Sequence, residues 1–172
     1  MRRLLFLGLT LALFMSLSGT VMGFTVTIYT DKTEWENALA GQVVTEDFND
    51  QILNDGISLY TESGHINDYF GYYHDVLNSS SAKGPITIWD FTPQINAYGG
   101  TWTLGGPGGS GNYLLIYIDD IEEPVGIITN GYNGDFWGFI SDTPFTSVTL
   151  IGGSANNQQN YQLDDMVYCP EE

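Results

Sequence analysis

Apolar and polar positions alternate along this chain with two periods, and the helical one is confined to a single short stretch. Phe24, Val26 and Ile28 fall on one side of an extended run and Thr25, Thr27 and Tyr29 on the other, the pattern of a half-buried strand. Asp31, with Glu34 three residues later, makes a capping box; Trp35, Ala38 and Leu39 then recur at helical spacing until Gly41. This predicts one amphipathic helix over residues 32–40. From Val43 onward the period is two. Strands are expected at 43–48, 57–61, 86–91, 94–98, 101–104, 113–118, 125–129, 135–140, 146–151 and 161–168. Turn-forming clusters such as Gly105–Gly111 and Gly152–Asn160 separate them, and Asp119–Pro124 reads as a hairpin loop. Many short strands, glycine-rich turns and one helix predict an all-β fold: a jelly-roll-like antiparallel β-sandwich with one short N-terminal helix.

The first residues read differently. Arg2 and Arg3 precede an apolar run from Leu4 to Leu17, and Ser18–Gly23 is small and polar. That is the three-part plan of a secretory signal peptide, with cleavage expected after Gly23. The apolar run is shorter than the ~20 residues of a membrane span, and no later segment could cross a bilayer. Residues 24–172 then suit a single domain.

Charge narrows the partners. The chain carries 21 acidic against four basic residues, a formal net charge of −17, and beyond residue 23 the cations are Lys32 and Lys83. A surface so poor in cations argues against nucleic acid and anionic membranes, both of which demand positive charge at the contact. Cys169 is the sole cysteine, so no internal disulfide can form. A secreted domain without disulfides needs a strong apolar core, a bound metal, or both.

Two clusters carry candidate chemistry. Strict alternation places Glu46 on the face of Val44 and Phe48, and Asp165 on the face of Leu163 and Val167, with Asp164 beside Met166. Carboxylates on apolar faces need compensation, and lysines are too few to give it. A calcium ion can, because it accepts several carboxylate and carbonyl oxygens in loose geometry. Glu46, Asp47, Asp164 and Asp165 are therefore the expected ligands of a structural calcium between the first long strand and the last; strand ends or bulges that turn these groups to water are the alternative. The second cluster lies in the polar, aromatic segment 60–82, expected to be a long binding loop. There Tyr69, Tyr72 and Tyr73, with Phe70, supply rings to stack on sugar faces, and Asn67, Asp68 and Asp75 supply acceptors for hydroxyls. Trp89 and Trp102 are further candidates, while Trp35, Phe136, Trp137 and Phe139 read as core. His65 and His74 could pair with Asp68 or Asp75 as an acid–base unit, but no nucleophile elbow or metalloprotease helix accompanies them.

The run GDFWGFISDTPFTSVTL followed by YQLDDMVY, with DKTEWENAL, TEDFND and INAYGG before it, resembles a domain of exported bacterial proteins of the PEP-CTERM sorting class. The resemblance implies a jelly-roll-like sandwich outside the cell, associated with matrix or polysaccharide. It also implies similarity to carbohydrate-binding jelly rolls, which often hold calcium between their first and last strands. The family's sorting tail is not seen after CPEE, so free secretion is expected rather than anchoring. The expected function is thus a secreted, non-enzymatic domain that binds extracellular glycan or matrix material, with a structural calcium. A structural or adhesive surface protein, able to self-associate, is the alternative; a polysaccharide hydrolase is a third.

Overall fold

A computed structural model describes residues 24–77, 86–105, 113–152 and 159–171. The expected signal peptide, Lys83 and the serines at 79–81 lie outside them. The order of elements is β1 (Val26–Tyr29), α1 (Lys32–Ala38), β2 (Val44–Glu46), β3 (Ile57–Tyr60), β4 (His65–Asn67), β5 (Tyr72–Leu77), β6 (Ile86–Leu104), β7 (Tyr113–Ile118), β8 (Gly126–Thr129), β9 (Asn133–Gly152) and β10 (Gln159–Pro170).

All strand pairs are antiparallel, and the two long strands β6 and β9 each serve two layers. Ile86–Asp90 of β6 pairs with Ser147–Ile151 of β9, flanked by β3 on one side and the β7–β8 hairpin on the other. Ala97–Thr103 pairs with Asn133–Ile140, flanked by β10, β5 and β4 on one side and β1 on the other, while β2 joins the end of β10. Register shifts between Asp90 and Ala97 mark the bend from one layer to the next. Pro93, which cannot donate to a ladder, sits in that bend. Three expected breaks therefore lie inside single strands: 86–91, 94–98 and 101–104 form one strand, as do 135–140 and 146–151. The segment expected as a long loop contains the β4–β5 hairpin, turned by main-chain bonds from Phe70 and Gly71 N–H to the Asn67 carbonyl. Gly71 adopts φ 72° there, the left-handed conformation that glycine enters at little cost.

Aromatic rings fill the space between the layers. Tyr73 of β5 meets Trp89 of the opposite layer at 4.9 Å between ring centroids, and Phe48, Tyr98, Trp102, Trp137, Phe139 and Tyr161 are buried in the same cluster. Trp102 Nε1–H donates to the Trp137 carbonyl at 3.1 Å. The fold is a jelly-roll-like β-sandwich with one short helix, as the period-two pattern predicts.

The helix packs on one outer face. Asp31 caps it through a bond from Glu34 N–H to Oδ1 at 2.9 Å. Trp35, the one buried residue of α1, packs with Ala97, Val167 and Cys169 and reaches Phe136 at 5.8 Å. Its Nε1–H donates to the Phe139 carbonyl. Truncating such a ring in a core costs about 3–5 kcal/mol, so this one residue dominates the docking of α1. The strand surface beneath is cut low by Gly99 and Gly138: a Cβ on either would meet the Phe136 ring at 2.9 Å.

Candidate functional site

Beyond the edge of α1 the same face is uncovered among the described residues, and the sheet register sets two rows of side chains across four strands. His65, His74, Gln162 and Thr103 are successive cross-strand partners on β4, β5, β10 and β6. Asn67, Tyr72, Asp164 and Thr101 form the next row. Alternation drives this placement: Tyr73, Asp75 and Leu77 of β5 turn inward and are buried, so Tyr72, His74 and Val76 turn outward. A groove of ≈ 480 Å³ opens here, lined by His65, Tyr72, His74, Thr103, Asn160, Tyr161 and Gln162. Asn67 Nδ2 donates to the Tyr72 hydroxyl at 3.2 Å, and the Phe70 and Tyr72 rings lie nearly parallel, 10° apart in plane at 6.2 Å. Burial, then the neighbouring His65, push the His74 imidazole below its ordinary pKa against the pull of Asp75. The neutral ring is the favoured form, one nitrogen donating and the other accepting.

Directly behind the groove lies a buried carboxylate. Asp75 is 0% exposed. Its Oδ2 accepts from Thr61 Oγ1, Tyr73 OH and Thr87 Oγ1 at 2.7–2.8 Å, and its Oδ1 accepts from Ser63 Oγ and Val76 N–H. Tyr161 OH extends the network by donating to Thr87 Oγ1 at 2.6 Å. Burial alone would raise this carboxyl, but the bonds from Thr87, Thr61, Tyr73 and Ser63 hold it below the ordinary carboxylate range. Charge is thus met by hydroxyls and a main-chain amide, and the network fixes β5 and its neighbours behind the open face.

The residues expected from sequence to bind a ligand divide accordingly. Tyr72 and Asn67 stand on the open face, half-buried and joined to each other; Asp68 and Tyr69 are exposed at the hairpin turn, Tyr69 at 84%. Tyr73 and Asp75 are corrected: both are wholly buried, so neither can meet a ligand on this face. Trp89 and Trp102 are corrected for the same reason, each 0% exposed in the core. Gln162, Thr103 and Asn160 line the groove without having been expected there. With Leu163 inward, Gln162 must point outward, but its neighbours depend on pairing that sequence spacing does not reveal.

The four expected calcium ligands divide: Asp165 and Asp47 both lie close enough to Asp164 for their charges, after burial, to raise its pKa, whereas Glu46 is turned inward. The pairing of β2 with β10 does bring the early and late strands together, with Glu46 opposite Met166. Glu46 is buried beside Phe48, as alternation predicts, but both its oxygens are taken: Oε1 accepts from Phe48 N–H at 3.0 Å and Oε2 from Asn54 N–H at 2.7 Å. Asp47 is exposed and accepts from Asn49 N–H. A bulge between Asp164 and Val167, with Asp165 at φ 46°, breaks the alternation and turns Asp165 to solvent. Asp164 faces the uncovered side, where burial and then the charge of Asp165 raise its pKa. Among the described residues no group of three or more His, Cys, Asp and Glu side chains is placed to hold a metal ion.

No known family model matches the chain, and no curated protein matches it in sequence. Solved structures do match in shape. A family 29 carbohydrate-binding module variant complexed with mannohexaose superposes with a TM-score of 0.53 at 10% identity, covering 76% of this chain and 92% of that one. A second variant of such a module gives 0.51 at 12% identity over 74% and 91%. A third structure of a family 29 module gives 0.51 at 11% identity over 76% and 89%. At such identities the likeness defines the fold, a jelly-roll β-sandwich.

Proposed function

We propose that this protein is a non-catalytic glycan-binding domain that seats a neutral polysaccharide in the groove beyond α1. One observation carries the reading: a ≈ 480 Å³ groove on strands whose lining combines a tyrosine ring with polar donors and acceptors, Gln162, Thr103, Asn160 and the two histidines. Tyr72 offers an apolar face to a pyranose ring, and amides, hydroxyls and imidazoles can each pair with sugar hydroxyls as donor or acceptor. The formal charge of −17 disfavours uronates and other anionic polymers. Glycoside cleavage needs a pair of carboxylates flanking the bond, and among the described residues the groove lining holds none. The fold shared with family 29 modules, one of them complexed with mannohexaose, supports the same reading. Work outside the cell belongs to the proposal through the expected signal peptide.

The test is a glycan array followed by calorimetry with neutral hexasaccharides, mannohexaose among them. Binding is expected, and Tyr72→Ala should weaken it on the order of tenfold or more with the fold intact. A blank array from folded protein, or equal binding by the variant, overturns the proposal. The adhesive reading has one observation in its favour: Ile52, Tyr69 and Phe70 are exposed at 78%, 84% and 66%. Their two turns are tied by a bond from Gln51 Nε2 to the Ile66 carbonyl. Concentration-dependent self-association, lost in a Tyr69→Ser, Phe70→Ser variant, would favour it.

A further inference from the structure

At the outer end of the groove two imidazoles stand directly opposite each other. His65 and His74 are cross-strand partners of the β4–β5 hairpin, with ring centroids 5.3 Å apart and ring planes at 66°. His65 is exposed and His74 half-buried, so both are reachable from the solvent side. The hairpin turn and pairing fix their backbones, and His74 is flanked on its other side by Gln162.

Metal geometry can be set against that spacing. A zinc–imidazole bond of about 2.0–2.1 Å places each ring centroid ~3.2 Å from the metal; two rings at a tetrahedral angle then stand ~5.2 Å apart, and at a right angle ~4.5 Å apart. The observed 5.3 Å matches the tetrahedral value. A hard cation such as calcium takes oxygen ligands instead. We propose that His65 and His74 bind a tetrahedral, borderline divalent d-block cation of the zinc class, with water completing the coordination. The site is separate from the acidic residues of β2 and β10 and stands whether or not a sugar occupies the groove.

The experiment titrates the full chain with Co²⁺, whose visible spectrum reports coordination number, and then displaces it with Zn²⁺. Expected are one saturable site per chain, intense tetrahedral bands, and their loss on adding Zn²⁺. His65→Ala and His74→Ala should each weaken binding at least ~10-fold, the lower end of what a disturbed metal site costs, and the double variant should abolish it. Imidazole proton shifts of the unmodified chain on adding Zn²⁺ give a readout that needs no variant to fold. Binding that survives loss of both imidazoles, a weak octahedral spectrum, or unmoved imidazole signals overturns the proposal.

Discussion

Replacing Asp75 by asparagine probes the network behind the groove while adding almost no volume. The substituted side chain would keep one acceptor oxygen and lose the charge; its amide nitrogen, in place of one carboxylate oxygen, would face hydroxyls that now donate to that oxygen. On Oδ2 those are Thr61, Tyr73 and Thr87, and Thr87 is itself committed as acceptor to Tyr161. Hydrogen bonds to a buried charged group are worth about 1.5–3 kcal/mol each, and part of the loss is recovered as hydroxyls rotate, so Asp75→Asn should cost ~2–4 kcal/mol. For a domain of this size that lowers the melting temperature by roughly 5–15 °C. The pH dependence has a definite sign. A carboxyl whose folded pKa lies below its unfolded value, ~3.9, stabilises fully above that value and loses its contribution as pH falls through the lower, folded one. Asp75 is such a group. Urea unfolding from pH 7 to pH 3 should therefore show a large gap between the two proteins at neutral pH that narrows in acid. A cost below ~0.5 kcal/mol at pH 7, or parallel profiles throughout, would refute the account of a carboxylate stabilised by hydroxyls.

Three further perturbations test other parts of the molecule. Gly138→Ala puts a Cβ 2.9 Å from the Phe136 ring and 3.0 Å from Gly99 Cα; it should cost ~1–3 kcal/mol in thermal melts and speed hydrogen exchange in α1, whereas an unchanged protein would mean that α1 docks loosely. Asp164→Asn removes a carboxylate that burial and Asp165 hold above its ordinary pKa. The variant should melt higher than the parent at pH 7, and the difference should shrink as pH falls below the raised pKa and vanish below the unfolded value of ~3.9; a lower melting point at pH 7 contradicts this. Chelation by EGTA should leave the melting temperature unchanged, since main-chain amides already satisfy Glu46. A fall reversed specifically by Ca²⁺ would establish a calcium role for the β2–β10 carboxylates.

Much of this architecture is legible in the sequence, for identifiable reasons. The capping box and the spacing of Trp35, Ala38 and Leu39 locate the helix, and period-two runs locate most strands, because each reflects local geometry with one face buried. What escapes is set by distant contacts. Pro93 and Pro144 read as breaks, yet long strands absorb them. Tyr72–Leu77 offers Tyr, Asp and Leu on one side and Tyr, His and Val on the other, so composition cannot tell which side is buried. The hydroxyls that make the inward position tolerable to Asp75 come from Thr61, Ser63 and Thr87, up to 14 positions away. Alternation reads Glu46 correctly, but one bulge residue reverses the face of Asp165. Tyr72 and Asn67 are legible members of the candidate site; Gln162 and Thr103 join it only through the pairing of β5, β10 and β6.

The placement of α1 has a directional consequence. The helix stands across one end of the strands like a bulkhead, with Trp35 packed beside the Phe136 ring that covers Gly99 and Gly138. A polymer following the strand axis would run into it. Among the described residues the open passage is transverse, from Thr103 over Gln162 and His74 to the edge strand at His65. A polysaccharide held there would cross the strands and leave past the β4 edge, which makes internal stretches of a long chain as acceptable as its ends.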